Sequence, residues 1–419
     1  MRIRLAFLTA CALVFAGVLA APSGASTGIR YGIQDDAWLL QGPGELSDRL
    51  DQLERLTPDV VRFNMRWNTI ERRQGEYDWT DPDIVLNGLH ERGIPAVVAI
   101  VGAPSWSNGG RGPNSAPTRS ASIASFARAA ASRYPWVRDW LIWNEPNQRR
   151  WLRPTTPSVY VTRLLNPAYA AIHAVRPNAR VAGGVSAPRA NVGGVSPVDW
   201  IRGMRRAGAH LDAYAHHPYP ARPTETPLAG GCDHCTTITM ATLERLLREV
   251  GKAWPGKRIW LTEYAYQTNP PDRFWGVSPG RHAQLLGQAA LRAFKAPRID
   301  MLIHYLVRDE PQLGGWQSGL FTFAMRPKPA ARTFAMPLAI AGRSGGAVVV
   351  WGQIRPSSGP QTYRVQVRRP GSGWTWAGGT RTTSARGFVS VRLALPKRSS
   401  VRLWSADERL YGLAVPVAV

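Results

Sequence analysis

Short apolar or aromatic runs alternate with stretches of helical periodicity through most of the chain. Strands separated by helices in this way predict repeated strand-helix units and a parallel sheet. The eight candidate strands are 29–34, 60–67, 96–101, 140–144, 180–185, 213–217, 258–263 and 301–306. The helices predicted between them include 46–56, 84–92, 122–133, 159–175, 240–250 and 281–294. Eight such units predict a barrel whose active site lies at the carboxyl ends of the strands.

The pattern changes from about residue 340. Helical periodicity gives way to alternating apolar and polar positions, separated by turns rich in Gly, Ser and Pro, as is typical of antiparallel strands. The alternating stretches are 347–351, 362–368, 387–393 and 400–404. We therefore predict an α/β fold, with a (β/α)8 TIM barrel over residues 26–338 and a small antiparallel, β-sandwich-like domain over residues 339–419.

Residues 1–25 are predicted to form a secretory signal peptide. Arg2 and Arg4 precede an apolar run over residues 5–19, and residues 18–20 give a cleavage signal, with Ala25 as a second candidate. The run is short for a permanent membrane span, and no later uninterrupted apolar run reaches that length. We expect a secreted protein, extracellular or associated with the cell wall, with no integral membrane segment after cleavage.

The formal net charge of the 419-residue chain is +24 at pH 7. A charge of this sign favours contact with acidic cell-wall polymers or anionic lipid surfaces. No nucleic-acid-binding motif accompanies the arginines, so we expect no nucleic-acid partner.

Two cysteines follow the signal, Cys232 and Cys235. In an exported protein, their spacing favours a local disulfide across a loop, with a zinc site or a redox pair as alternatives. Zinc would need two further ligands, for which His216, His217 and His234 are the candidates.

Two of the predicted strands lead into a glutamate. The fourth runs through Trp143 and Asn144 to Glu145, and the seventh ends at Glu263. A buried carboxylate is costly unless it is paired or used. Two facing carboxyl groups suit glycoside hydrolysis, in which one donates a proton to the leaving oxygen and the other attacks the sugar or activates water. This chemistry uses side chains alone, so we expect no cofactor and no metal.

The same residues resemble a known group of enzymes. Trp143-Asn144-Glu145-Pro146 and Leu261-Thr262-Glu263 resemble the motifs on strands four and seven of the clan A retaining glycoside hydrolases. The second-strand region, Val61-Arg62-Phe63 with Gln74-Gly75-Glu76-Tyr77-Asp78-Trp79, is most similar to family 39, with family 5 as the alternative. The resemblance covers roughly residues 28–338 and implies a barrel enzyme that cleaves O-glycosidic bonds.

Carried over residue by residue, the resemblance implies Glu145 as general acid/base and Glu263 as nucleophile. Asn144 would hold the 2-hydroxyl of the sugar, and Arg62 would keep Glu263 ionised. His217 and Tyr219 match a His-x-Tyr motif on the sixth strand, in which the tyrosine orients the nucleophile.

Aromatic side chains in the loops provide further candidates. Sugar rings have apolar faces, which exposed aromatic residues can cover. Trp106 and Trp316 lie in predicted loops after the third and eighth strands, on the active-site side, and are candidate substrate-binding residues. The expected partner is a poly- or oligosaccharide, and the net charge raises the possibility of an anionic one.

Two alternatives remain open from the sequence. A transglycosylase would use the same residues and differ only in whether sugar or water accepts the intermediate. A carbohydrate-binding barrel without catalysis would use the same loops for recognition. Within the enzyme hypothesis, carboxyl groups about 5 Å apart predict retention of configuration, and about 6.5 to 9.5 Å predict inversion.

Overall fold

The structure is a computed structural model that describes residues 25–232, 234–356 and 358–417. The predicted signal peptide lies outside these residues except for Ala25. Within the described residues, no helix has the length and apolar character needed to cross a membrane.

Eight parallel strands close into a barrel in which each strand pairs with its neighbours in sequence and the last pairs with the first. The strands are β1 (Arg30–Gln34), β2 (Val60–Arg66), β3 (Ala96–Val101), β4 (Asp139–Ile142), β5 (Arg180–Ser186), β6 (Ala213–His216), β7 (Arg258–Tyr264) and β8 (Ile299–Tyr305). They are buried along nearly their whole length, because side chains fill the barrel on one face and helices cover the other. The predicted TIM barrel is confirmed.

Helices surround the barrel and connect its strands. They span Asp36–Gln41, Leu46–Leu56, Trp67–Ile70, Thr80–Glu91, Ser105–Asn108, Ser120–Arg133, Pro157–Tyr160, Asn166–Val175, Pro197–Arg206, Leu243–Ala253, Pro279–Lys295 and Pro329–Ala335. A π-helical turn, Val161–Leu165, and a 3-10 turn, Met240–Thr242, begin two of the longer ones.

The helix Pro197–Arg206 was not predicted from the sequence. It follows Gly193-Gly194-Val195-Ser196, which resembles a loop, but Ser196 caps its amino end by accepting a hydrogen bond from the Asp199 backbone N–H. Proline fits the first turn of a helix, where its missing N–H is not needed. The two glycines indicate a loop, so the sequence pattern gives no sign of the helix that begins at Pro197.

The C-terminal part forms two antiparallel sheets. One contains Leu338–Ser344, Ala347–Gln353 and Phe388–Leu393, and the other is built around Thr362–Arg368, Trp374–Trp376 and Ser400–Ser405. The predicted antiparallel β domain is confirmed. Its first strand, Leu338–Ser344, was not predicted, because Gly342 and Arg343 interrupt the alternation of apolar positions.

Aromatic packing joins the two parts. Phe294, in the helix Pro279–Lys295, lies with its ring centroid 5.2 Å from Trp351 and 4.7 Å from Phe388 of the C-terminal sheets. Arg386 adds a hydrogen bond of 2.9 Å to the carbonyl of Ile29. These contacts pack the carboxyl end of the helix Pro279–Lys295 against the β domain.

Truncation of Phe294 is expected to destabilise the protein. Phe294→Ala removes a side chain that is 5% exposed and leaves a cavity between barrel and β domain, which typically costs about 3 to 5 kcal/mol. Urea denaturation measures the loss. The control Phe274→Ala changes a ring that is 90% exposed and should stay within about 0.5 kcal/mol of wild type. Equal effects of the two variants would contradict the packing role of Phe294.

Candidate active site

The carboxyl ends of the barrel strands bring the candidate residues together. Arg62 comes from β2, Asn144 and Glu145 follow β4, His217 and Tyr219 follow β6, and Glu263 is on β7. A carboxylate oxygen of Glu145, a ring nitrogen of His217 and a carboxylate oxygen of Glu263 all lie within 4.8 Å of one another.

The chain reverses abruptly where β4 ends. The sequence predicted a strand as far as Asn144, but β4 stops at Ile142 because Trp143 and Glu145 adopt positive φ angles of 75° and 40°. Such angles cost a non-glycine residue about 1 to 3 kcal/mol and persist only where the surroundings hold them. Here the Trp143 N–H donates to the Ile100 carbonyl and the Glu145 N–H donates to the Val185 carbonyl. The backbone is thereby fixed with Asn144 and Glu145 in the site.

Arg62 is fully buried at the centre of the cluster. Its Nη1 lies 2.6 Å from Glu263 Oε1 and 2.9 Å from the Thr262 carbonyl, and its Nη2 donates to Asn144 Oδ1 at 2.8 Å. The planar guanidinium thus pairs with one glutamate and orients the amide beside the other. Because Oδ1 of Asn144 is occupied, its NH2 group is the part available to a ligand.

His217 connects the two glutamates. Its Nε2 is 3.2 Å from Arg62 Nη1, and since a guanidinium can only donate, Nε2 accepts and the proton is on Nδ1. That Nδ1 lies 3.1 Å from Glu145 Oε1 and 3.5 Å from Glu263 Oε2. Burial lowers the pKa of His217 to about 3, with the charge of Arg62 acting in the same direction and that of Glu263 opposing it. A neutral histidine therefore donates toward the carboxylates, a contact that sequence reasoning had assigned to substrate binding.

Burial raises the pKa of Glu145 to about 7. The charges of Arg62, Arg150 and Arg189 and a hydrogen bond from the Trp151 side chain oppose this shift without cancelling it. The side chain is 17% exposed, so a ligand can reach it. Glu145 therefore holds a proton close to neutral pH while remaining accessible.

Aromatic side chains pack together beside Glu263. The Tyr219 hydroxyl donates to Glu263 Oε2 at 3.1 Å, and burial raises the pKa of Tyr219 well above its usual value, so it stays protonated. The ring centroid of Trp316 lies 4.8 Å from that of Tyr219 and 5.5 Å from that of Tyr305. Trp316 is thus brought into the site, next to the tyrosine that contacts the glutamate.

A buried ion pair anchors the loop that carries Trp316. Lys328 Nζ lies 2.6 Å from Asp309 Oδ1, with further bonds to Thr268 Oγ1 and the Gln317 carbonyl. Asp309 also accepts from the Gly319 N–H. The two ends of the loop are therefore tied to each other and to the loop after β7.

Trp106 is placed apart from this cluster. Its ring packs edge-on against Trp67, with centroids 6.1 Å apart, and its indole N–H donates to the Glu71 carbonyl at 2.8 Å. These contacts serve packing in the loop after β3. Among the described residues, no hydrogen bond or ring contact joins Trp106 to either glutamate.

Sequence reasoning missed two carboxylates after β1. Asp36 accepts from both the backbone N–H and the side-chain amide of Asn64, at 2.7 Å each, and Asn64 Oδ1 lies 3.2 Å from Arg62. Asp35 accepts from the N–H groups of Val307 and Arg308, which closes the barrel between β1 and the loop after β8. Burial raises the pKa of Asp35 to about 7. The signal was available: Asp35 and Asp36 are the first two residues after a buried strand, much as Glu145 follows β4 and Glu263 lies near the end of β7.

The candidates for a zinc site at the cysteines are engaged elsewhere or dispersed. His216 bonds to Ser186 Oγ and to the Ile238 carbonyl, and His217 belongs to the glutamate cluster. The structure has Cys232 and Cys235 as free thiols, with Cys235 Sγ 3.5 Å from the Cys232 carbonyl. In the described part of the chain, the group of three side chains with metal-binding geometry is Glu145, His217 and Glu263, where Arg62 already supplies positive charge.

Solved structures similar to this chain include several glycoside hydrolases. A family 39 glycoside hydrolase from Bacteroides cellulosilyticus WH2 superposes with a TM-score of 0.62 at 16% identity, covering 89% of this chain and 80% of that one. A monomeric beta-xylosidase from Caulobacter crescentus CB15 gives 0.57 at 15% identity, covering 90% and 95%. A glucosidase from Croceicoccus marinus gives 0.59 at 13% identity, covering 91% and 96%.

This chain shares its fold with these glycoside hydrolases. The resemblance to family 39 proposed from the sequence is confirmed at the level of the fold. No protein-family model matches the sequence, and no curated protein is significantly similar to it. The sequence identities to these three structures are 16% or less, so the likeness is one of architecture.

The raised pKa of Glu145 predicts a pH-dependent stability. A carboxyl whose pKa rises from 4.5 to about 7 on folding stabilises the folded state below pH 4.5, and this contribution is lost as the pH rises through 7. Glutamine has no such dependence. We expect the stability of Glu145→Gln relative to wild type to improve by about 2 to 3 kcal/mol between about pH 5 and about pH 8.

Urea denaturation at the two pH values gives this difference. The control is Glu91→Gln, since Glu91 is exposed at the end of the helix Thr80–Glu91. Contributions from Asp35 and other groups are common to all variants and cancel. A difference that is the same at both pH values would show that folding does not shift the titration of Glu145.

Proposed function

We propose that this chain is a retaining glycoside hydrolase that cleaves O-glycosidic bonds with two glutamates. The observation that carries the proposal is the pair of carboxyl groups, Glu145 and Glu263, with oxygens within 4.8 Å of each other at the open end of the barrel. Carboxyl groups about 5 Å apart suit direct attack on the sugar, whereas inversion needs room for a water molecule between them.

The environments of the two glutamates differ as this mechanism requires. Glu145, with a pKa near 7, can donate a proton to the leaving oxygen. Glu263 has Arg62 at 2.6 Å and the Tyr219 hydroxyl at 3.1 Å as partners for a carboxylate. Two carboxyl groups with separate roles are the pattern of acid and nucleophile in glycosidases.

In the first step, a carboxylate oxygen of Glu263 bonds to the anomeric carbon as the bond to the leaving oxygen breaks and Glu145 protonates that oxygen. In the second, water attacks the anomeric carbon, Glu145 takes its proton, and the bond to Glu263 breaks. Asn144, held by Arg62, presents its NH2 group for the 2-hydroxyl of the sugar. Neutral His217 donates from Nδ1 to Glu145, and the same nitrogen lies 3.5 Å from Glu263.

We propose further that the protein acts outside the cell. The support is the amino-terminal sequence, in which two arginines precede an apolar run and a small-residue cleavage signal. A glycan of the cell wall or surroundings is then the accessible substrate. Detection of the mature protein, beginning after Ala20 or Ala25, in the medium or wall fraction tests this, whereas retention of the full chain inside the cell would refute it.

Kinetic assays on glycosides with good and poor leaving groups should distinguish the roles of Glu145 and Glu263. Glu145→Gln is expected to lower kcat/KM by about 10² to 10⁴ for glycosides with poor leaving groups and far less for dinitrophenyl glycosides, which need no protonation. Glu263→Gln should abolish turnover of both. Xylosides and glucosides open the substrate panel, because two similar structures are described as a xylosidase and a glucosidase.

NMR of the first-formed anomer completes the experiment, and retention is expected. The control Glu91→Gln should behave as wild type. Inverted products would overturn the nucleophile role of Glu263, and products in which an added sugar replaces water would identify a transglycosylase. Glycan binding without hydrolysis or transfer would point instead to a non-catalytic binding barrel.

The alkaline limb of the pH profile should follow Glu145. Because the acid must carry its proton, kcat/KM is expected to fall as the pH rises through about 7. On glycosides with poor leaving groups, wild type should show this limb and the residual activity of Glu145→Gln should lack it. A limb that persists unchanged in the variant would assign it to another group.

A further inference from the structure

A basic cleft lies at the carboxyl end of the barrel and is lined in part by the loop that carries Glu145. It encloses about 830 Å³ between the loops that follow β3, β4 and β5. Its lining includes three arginines and no acidic side chain: Arg111, Gly112, Asn114, Ser115, Arg149, Arg153, Pro154, Thr155 and Gly193.

The walls of the cleft are fixed by hydrogen bonds between these loops. Arg153 donates its backbone N–H to the Asn114 carbonyl and accepts from the Ala116 N–H, which joins the loops after β3 and β4. Asn147 donates to the Val195 carbonyl, which joins the loops after β4 and β5. The cleft is therefore part of the barrel rim.

The loop after β4 links the cleft to the general acid. Arg149 and Arg153 follow Glu145 by four and eight residues, and between them Trp151 is 39% exposed and hydrogen bonds to Glu145. Arg150 lies over the Trp151 ring at 5.7 Å, and with Arg189 it acts electrostatically on Glu145. An exposed indole and unneutralised positive charge thus stand next to the proton donor.

The cationic groups of this cleft have no carboxylate partners. Among the residues that the structure describes, no carboxylate oxygen lies within 4 Å of the guanidinium groups of Arg111, Arg149 or Arg153, which line the cleft, or of Arg150 and Arg189, which act on Glu145. An arginine cluster without counter-ions is a site for a ligand that brings its own negative charge.

The opposite side of the site has the reverse charge. Asp36 after β1 and Glu310 after β8 both act electrostatically on Tyr305, which borders Trp316. A sugar bound over Glu263 would meet these carboxylates, whereas its leaving group, which must reach Glu145, would meet the arginines. The site therefore separates charge along the direction of the bond to be cleaved.

We infer that the substrate is an acidic glycan whose leaving portion carries carboxylate groups, bound in the arginine cleft, and whose transferred sugar is uncharged. The inference rests on the proposed function for the direction of cleavage. A guanidinium pairs with a carboxylate through two parallel hydrogen bonds, and the apolar face of a uronate ring can lie on Trp151. The general acid must lie within hydrogen-bond reach of the leaving oxygen, which places the leaving sugar at the mouth of this cleft.

Isothermal titration calorimetry with a matched pair of probes tests the cleft. Trigalacturonic acid carries carboxylates, and its fully methyl-esterified form has the same sugars without charge. At low salt the mature protein is expected to bind the acid at least about tenfold more tightly than the ester, with the preference shrinking at physiological ionic strength.

Two variants test whether the preference for the acid over its ester arises in the arginine cleft. Arg149→Gln combined with Arg153→Gln should remove most of it, because both side chains line the cleft. Arg206→Gln removes an exposed arginine at the carboxyl end of the helix Pro197–Arg206, which lies at the other end of the barrel, and should leave the preference unchanged. Equal binding of the two probes, or equal behaviour of the cleft and control variants, would overturn the inference.

A kinetic experiment tests whether the negative charge lies on the leaving portion of the substrate. In wild type, kcat/KM for an aryl glycoside with a carboxylate on the aglycone should exceed that for its methyl ester, and the double variant should lower this ratio about tenfold. A ratio unaffected by the variants would overturn the assignment of the charge to the leaving side. Charge-selective binding without hydrolysis of any glycoside would instead refute the proposed function and leave the cleft as an anionic-glycan site.

Discussion

The buried guanidinium of Arg62 is the interaction on which the candidate site depends. A charge without exposure must be paired, and Arg62 is paired with Glu263 at 2.6 Å while also bonding to Asn144 and contacting His217. These partners come from β4, β6 and β7, so one planar group fixes the relative positions of three strand ends. Removing it would leave a glutamate, an amide and a histidine without their common partner.

The same contact decides the state of the histidine. Since Arg62 donates to Nε2, His217 must carry its proton on Nδ1, from which it donates to Glu145 at 3.1 Å while lying 3.5 Å from Glu263. Burial keeps the ring neutral, so no second positive charge draws the proton from Glu145. The high pKa of Glu145 therefore reflects desolvation that the nearby arginines reduce but do not cancel. The two glutamates differ in their surroundings, because Arg62 pairs directly with Glu263 whereas Glu145 accepts a hydrogen bond from the neutral His217.

Charge is arranged on a larger scale around this centre. Arginines without carboxylate partners occupy the rim beside Glu145, while Asp36 and Glu310 lie across the site near Tyr305. The net charge of +24 does not indicate this division, because composition carries no information about where the charged residues lie. Loops from neighbouring strands, brought to one end of the barrel, convert a chain-wide excess of arginine into a local field.

The sequence alone determined the barrel, because apolar runs at regular spacing can be buried together only in a parallel sheet covered by helices. It also determined which strand ends carry Glu145 and Glu263, since an acidic residue after a buried run is conspicuous. Only the tertiary structure decided that Trp106 packs against Trp67, that Asp36 belongs to the site through Asn64, and that His217 contacts both glutamates. Those facts depend on the direction of side chains and on pairs far apart in the chain, which no local pattern encodes.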